Sequence, residues 1–290
     1  MNYEPLDLKD VETVKPFFSM VDSRTCDFTV GGMFMWRDYY RMEYAIEDGV
    51  FFSRLRDKDG NLHYNLPISE NIGDSVKKLI DSTKLPIKFC TIPEKYVPLF
   101  SNCGHDVRAY EQTDFADYLY NASDLVTLAG RKYSGQRNLI KQFKRSVSEW
   151  NFEPIEGNDI GKIRDFFCDI YLPMSSEGTI EKEENRKVLE VLENGDKYGM
   201  FGGYLTADGE IVGFSMNEIV GDTLFSHIEK ADRRYKGAYQ MLVNQSAAAF
   251  VSDKVLFINR EEDMGDLGLR ASKRSYHPTE LLKKFVVEVF

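Results

Sequence analysis

No run in this 290-residue chain approaches the roughly 20 consecutive apolar residues of a membrane-spanning helix. The N-terminus, MNYEPLDLKD, is acidic and lacks the basic-then-apolar form of a secretory signal. Stable membrane insertion is therefore not expected, and a cytoplasmic location is. Cysteine is scarce: Cys26, Cys90, Cys103 and Cys168 form no C-x-x-C pair and no zinc-ligand spacing. That excludes a disulfide framework; the thiols read as reduced and mostly buried, and no metal is expected. Net positive charge is missing too. A formal charge of −10 argues against a general nucleic-acid coat protein and against broad adhesion to anionic lipid, while leaving room for a local basic patch. What remains is ample for folding: a hydrophobic fraction of 42% with 13% aromatics supports real cores, in one large or two ordinary domains.

A second absence is local. Between Asp124 and Glu149 there is no acid, while Arg131, Lys132, Arg137, Lys141, Lys144 and Arg145 all fall there. Leu139, Ile140, Phe143 and Val147 have helical spacing, which predicts an amphipathic basic helix. It is either a solvated connector or a clamp for phosphate or another anion.

Hairpin turns and apolar periodicity order the remainder. Strands are expected over 40–47, 50–56 and 61–68, then a helix over 72–83, a strand over 86–92, a short helix at PEKYVPLF and a strand over 106–118. A short N-terminal helix over 10–20 should break at Pro16. The second half repeats the order, preceded by a strand over 151–155 and two helices joined by a loop over 172–180. Strands follow over 199–205, 210–219 and 223–230, then a helix over 237–251, a strand over 255–258 and a last strand over 284–290. Identical element order twice suggests a duplicated α/β domain, divided near Ser148 into residues 1–148 and 149–290.

The halves differ at one junction. In the second, HIEKADRRYKGAYQ places Arg233, Arg234, Lys236 and Gly237 where a helix begins, a natural phosphate seat. The matching stretch of the first, NLPISENIGDSV, has no Arg or Lys. One active domain and a degenerate partner follow. The densest polar stretch is VLFINREEDMGDLGLRASKRSYHP, a buried-strand pattern running into Asn259, Arg260, Glu261, Glu262 and Asp263, then Arg270 and Tyr276. It is either a site at a strand's carboxyl end or a solvated loop.

The order β-α-α-β-β-β-α-β-α-β with R-x-x-G-x-Y (Arg234, Gly237, Tyr239) resembles the GCN5-related N-acetyltransferase (GNAT) fold. GRKYSGQRNLIKQF and HIEKADRRYKGAYQ…INREEDMGDLGLRASKRSYHP resemble the DUF2156 family, related to the C-terminal domain of phosphatidylglycerol lysyltransferase and to the Fem aminoacyltransferases. The resemblance implies two tandem GNAT-like domains and transfer of an acyl group from acyl-CoA or aminoacyl-tRNA to an amine or hydroxyl of a small-molecule or peptide acceptor. The alternative is a non-catalytic ligand-binding protein of the same fold.

Such chemistry needs a base, an acid and a polarised carbonyl. His227 or Glu229 could move a proton, Asn259 could orient the donor and Tyr276 could protonate the leaving group. His227 could equally be a structural residue, and Tyr276 could simply pack. Lys230, Arg234, Tyr235, Lys236, Gly237, Ala238 and Tyr239 would hold the donor. Lys132, Arg137 and Lys141 would meet tRNA, Arg270 would meet substrate, and Glu261 would hold a cationic amino group or cap a helix.

Overall fold

Short turns rich in glycine and aspartate, set between runs of alternating apolar residues, favour hairpins. A computed structural model describing residues 1–175 and 178–290 builds two seven-stranded sheets from them. Ser176 and Glu177, in the loop expected over 172–180, lie outside the described residues.

One compact unit takes in Met1–Asp117, Glu262–Leu267 and Leu281–Phe290. It opens with β1 (Glu4–Pro5), α1 (Val11–Phe18) and α2 (Val30–Phe34). The meander β2 (Glu43–Glu47), β3 (Val50–Arg56) and β4 (Leu62–Tyr64) follows, then α3 (Ile72–Asp81), β5 (Ile87–Pro93), a 3-10 segment Glu94–Asn102 and β6 (Val107–Glu111). Asn71 caps α3 by accepting the Asp74 N–H, and Val76, Leu79 and Ile80 form its buried face. Helix α1 runs through Pro16 rather than breaking there; burial of Val11, Val14 and Phe18 on one side offsets the hydrogen bond that the ring removes.

The other unit takes in Tyr118–Glu261 and Gly268–Glu280. Its elements begin with β7 (Asp117–Asn121), α4 (Ala122–Thr127), α5 (Ser134–Ser146), β8 (Trp150–Pro154), α6 (Ile160–Asp165) and α7 (Thr179–Tyr198). They continue with β9 (Phe201–Ala207), β10 (Glu210–Val220), β11 (Thr223–Ala231), α8 (Ala238–Phe250), β12 (Phe257–Asn259), α9 (Leu267–Arg274) and β13 (Glu280–Leu282). Tyr120, Tyr133, Phe143, Leu205, Met241 and Ile258 are among the residues of its core.

With β14 (Lys284–Val289), the sheet orders are β1-β2-β3-β4-β5-β14-β6 and β13-β7-β12-β11-β10-β9-β8. Each sheet contains a parallel pair, β4 with β5 and β11 with β12, among antiparallel neighbours. The fold class is therefore mixed α/β, with two seven-stranded sheets flanked by helices. Two features depart from the sequence pattern. The strand predicted over 106–118 is two strands, β6 and β7, parted by the 3-10 turn Thr113–Phe115 and placed in different sheets. The last strand of the chain, expected to close the C-terminal sheet, lies between β5 and β6. The units accordingly divide at Asp117–Tyr118 and not near Ser148, and β14 returns to the first. Alternation specifies which face of a strand is buried, but leaves its neighbours open.

Candidate functional site

Strands β11 and β12 run in register for three residues, Thr223↔Phe257, Leu224↔Ile258 and Phe225↔Asn259. Beyond Phe225 the pairing ends because β12 stops at Asn259, while β11 continues to Ala231. On the other edge of β11, Met216 pairs with Ile228 and Asn217 with Ser226, which leaves His227 as the extra residue of a β-bulge. Bulges re-aim side chains, and this one turns His227 between two acids. Its Nδ1 lies 2.7 Å from Glu261 Oε1 and its Nε2 3.2 Å from Glu218 Oε2, with the Phe225 ring stacked alongside.

Burial alone would lower the pKa of His227, but hydrogen bonds to Glu218 and Glu261 outweigh it and lift it to about 9. His227 is thus an imidazolium at neutral pH and not a free base. The native state keeps this proton up to about 9, whereas the unfolded chain releases it near 6.5. The stabilisation is complete below that lower value and disappears as pH rises through the upper one. A fall in stability on the order of 3 kcal/mol is expected across that window. Thermal melts at stepped pH check it: His227→Gln should flatten the slope.

Glu261 is the member of the triad that solvent reaches, with 22% of its side chain exposed. Its backbone adopts a left-handed φ of 56°, held by the Asn259 side chain, which accepts the Glu261 N–H at 2.6 Å. Asn259 therefore sets Glu261 in place. Glu229 is fully engaged by Arg260: Nε donates to Oε1 at 3.2 Å and Nη2 to Oε2 at 2.5 Å. The guanidinium also covers the Tyr276 ring at 4.8 Å, while its Nη1 is buried without a hydrogen-bond partner. Tyr276 is core, edge-on to Tyr120, and burial raises its hydroxyl pKa well above the usual phenol range. A proton-donating role for Tyr276 has little physical support.

The expected phosphate seat is occupied by its own contacts. Asp232 accepts the Arg234 backbone N–H at 2.8 Å and also takes its guanidinium through Nε and Nη2. Gly237 has φ 92°, and a Cβ there would stand 2.1 Å from the Leu139 carbonyl oxygen of α5. Glycine is needed so that α8 can approach α5, a packing reason rather than a ligand reason. Gly237→Ala should cost about 2–4 kcal/mol from backbone strain and overpacking together. A urea midpoint unchanged by that substitution would reject the packing explanation.

The remaining expected donor contacts divide similarly. Lys230 donates to Glu184 Oε1 at 2.5 Å and lies over Tyr171, Tyr235 packs near Phe143, Ala238 is buried and Tyr239 packs against the core. Lys236 is exposed. Along the basic segment, Arg137 Nη1 donates to the carbonyls of Leu128 and Gly130, and Lys132 pairs with Asp124 at 3.2 Å. Arg131, Lys141, Lys144 and Arg145 remain exposed. Arg270 lies on α9, partly exposed.

Sequence reasoning left two groups unused. Glu218 and Arg260 complete the pairs around His227 and Glu229, but nothing in local spacing links residues 9 and 31 positions from their partners. The first unit also holds a buried cluster in which Lys284 Nζ lies 2.7 Å from Asp117, 2.8 Å from Asp27, 3.4 Å from Glu262 and 3.4 Å from Cys26 Sγ. The thiol and the carboxylates of Asp117 and Glu262 converge closely enough to suit a cation, and the Lys284 ammonium lies against all three.

No helix among the described residues is long and apolar enough to cross a membrane. A crystal structure of a conserved protein of unknown function from Bacteroides thetaiotaomicron is 28% identical, with TM-score 0.88 over 100% of both chains. The C-terminal domain (DUF2156) of a putative lysylphosphatidylglycerol synthetase from Agrobacterium fabrum is 13% identical. Its TM-score is 0.64, over 97% of this chain and 91% of that one. An uncharacterised protein of Mycoplasmoides gallisepticum is 24% identical over 64% of this chain; the match spans 59% of that relative's length. A family model described as phosphatidylglycerol lysyltransferase, C-terminal, matches residues 18–288. With nearly its whole length matched, the chain belongs to the family of phosphatidylglycerol lysyltransferase C-terminal domains.

Proposed function

We propose that this protein is an aminoacyltransferase that uses an aminoacyl-tRNA ester, with Glu261 as the group that meets the incoming nucleophile. The observation that carries the reading is Glu261 itself, a partly exposed carboxylate held in left-handed backbone against a buried imidazolium. Strain maintained among polar groups just past the end of a strand is typical of functional sites. Membership of a family named for lysyl transfer supports aminoacyl chemistry.

The choice of donor rests on the α8 junction. With Arg234 committed to Asp232 and Gly237 packed on Leu139, little is left there to cradle the pyrophosphate of coenzyme A. The exposed Lys141, Lys144 and Arg145 instead suit a nucleic-acid backbone.

In the reaction, an acceptor amine or hydroxyl attacks the aminoacyl carbonyl carbon and passes its proton to Glu261. The carbonyl oxygen becomes an oxyanion as the tetrahedral centre forms. The ester C–O bond then breaks, the ribose oxygen leaves, and the proton taken by Glu261 returns to it. His227 keeps Glu261 oriented and is a positioning residue.

The test is single-turnover discharge of tRNA charged with radiolabelled amino acids, with phosphatidylglycerol vesicles and small amines as acceptors, beside acetyl-CoA as donor. Discharge from tRNA is expected, weakened by added salt and by reversing charge at Lys141 and Lys144, with none from acetyl-CoA. Binding of coenzyme A without binding of tRNA would reject the reading. The second reading, a binding module without turnover, draws on the closed pairing of both His227 nitrogens and of Glu229. It predicts tRNA binding without discharge.

A further inference from the structure

We propose that the first unit carries a separate binding site for a small organic anion with an apolar body, in the cleft between the β3–β4 turn and the start of β5. The cleft has a volume of ≈ 450 Å³, within the usual range of small-molecule sites. Leu62, Pro86 and Ile87 give it an apolar wall, and its polar groups fall into two sets.

The acceptors are already satisfied. Asp57 receives the Asp59 and Asn61 backbone N–H groups at 2.9 and 2.8 Å, and the Asn61 amide and His63 Nε2 at 2.9 Å each. Glu288 receives the Tyr110 hydroxyl at 2.8 Å and faces Lys88 at 3.5 Å. Two of the donors are idle. Lys84 is exposed, and neither its ammonium nor the Thr83 hydroxyl has a hydrogen bond or ion pair among the described residues. His63, 8% exposed, has Nε2 fixed by Asp57 and Nδ1 buried with no partner.

A cleft whose carboxylates are filled while the Lys84 ammonium and the Thr83 hydroxyl are unfilled selects a ligand that brings acceptors and negative charge. An oxyanion held by Lys84 and the Thr83 hydroxyl, with Lys88 beside it, lies in the cleft that the His63 ring also lines. The apolar wall then takes the body of the ligand. A cation of the same shape meets the Lys84 and Lys88 ammonium groups and is repelled. This site rests on none of the groups assigned to aminoacyl transfer, so the two readings can fail independently.

Benzoate and phenyl phosphate are the probes, and benzylamine is the control, titrated into the full chain by calorimetry and by nitrogen-15 NMR of the histidine rings. Both anions should bind saturably and benzylamine should not; the tighter anion tells whether a carboxylate or a phosphate ester is the better head group. Lys84→Glu should weaken anion binding at least about tenfold without moving the melting point of the free protein. The His63 ring signals, identified by their loss in His63→Gln, should shift on binding. No saturable anion binding up to about 10 mM would overturn the site. So would equal binding of benzylamine, unchanged affinity in Lys84→Glu, or an unshifted His63 ring.

Discussion

Glu261→Gln should slow aminoacyl transfer about 10²–10⁴-fold while leaving tRNA binding and the fold in place. The substitution keeps size and hydrogen-bonding capacity but cannot accept a proton from the acceptor. Because Asn259 holds Glu261 through the backbone N–H, the left-handed conformation should survive the change. The same substitution removes one of the two carboxylates that hold the proton on His227, so the decline of stability between about pH 6.5 and 9 should become shallower as the imidazole pKa drops. Rate and stability profile are separate readouts of one side chain. Single-turnover discharge measures the first and stepped-pH melts the second. Transfer within about threefold of the unmodified protein would remove Glu261 from the chemistry.

Lys284→Met should destabilise the first unit by about 3–5 kcal/mol, the usual cost of leaving buried charges without their partner. Lys284 is the cation shared by Asp27, Asp117 and Glu262. Burial by itself would lower its pKa, but Asp117, Asp27, the Cys26 thiol and Glu262 raise it well above the ordinary lysine range, so the ammonium persists into strongly alkaline solution. Asp117 is pushed up to about 7 by burial, against the pull of Lys284. The folded protein consequently carries an extra proton between about 3.8 and 7, and that part of its stability is present at the acid end and lost as pH rises through 7. In the variant, protonating the stranded carboxylates relieves their repulsion, so its deficit should be smaller at pH 5 than at pH 8. Urea denaturation at the two values decides it. An equal deficit at both, or a loss below about 1 kcal/mol, would mean that the ammonium does not hold the cluster together.

Elements with their own signal were legible in the sequence. Val50–Arg56 is a strand because a short run opening Val-Phe-Phe sits between two glycine turns, and Ile72–Asp81 is a helix because Asn71 caps it and its apolar residues fall on one side. The tandem order of elements could be read for the same reason. Around β12 the sequence singled out Asn259, Glu261 and His227, but not the contacts that they make. The bulge that turns His227 between two acids depends on the register of β10, and register is not written in the bulged strand.

The sequence by itself therefore determined most of the strands and helices, and that polar side chains gather past the carboxyl end of β12. Both follow from period, capping and turn residues within a few positions of one another. Only the tertiary structure decided that β14 enters the first sheet and β7 the second, that Asp232 and Leu139 fill the expected phosphate seat, and that Arg260 takes Glu229. Those outcomes depend on which distant groups arrive at the same place, and a buried charge is matched by whatever partner the packing brings within a few ångströms.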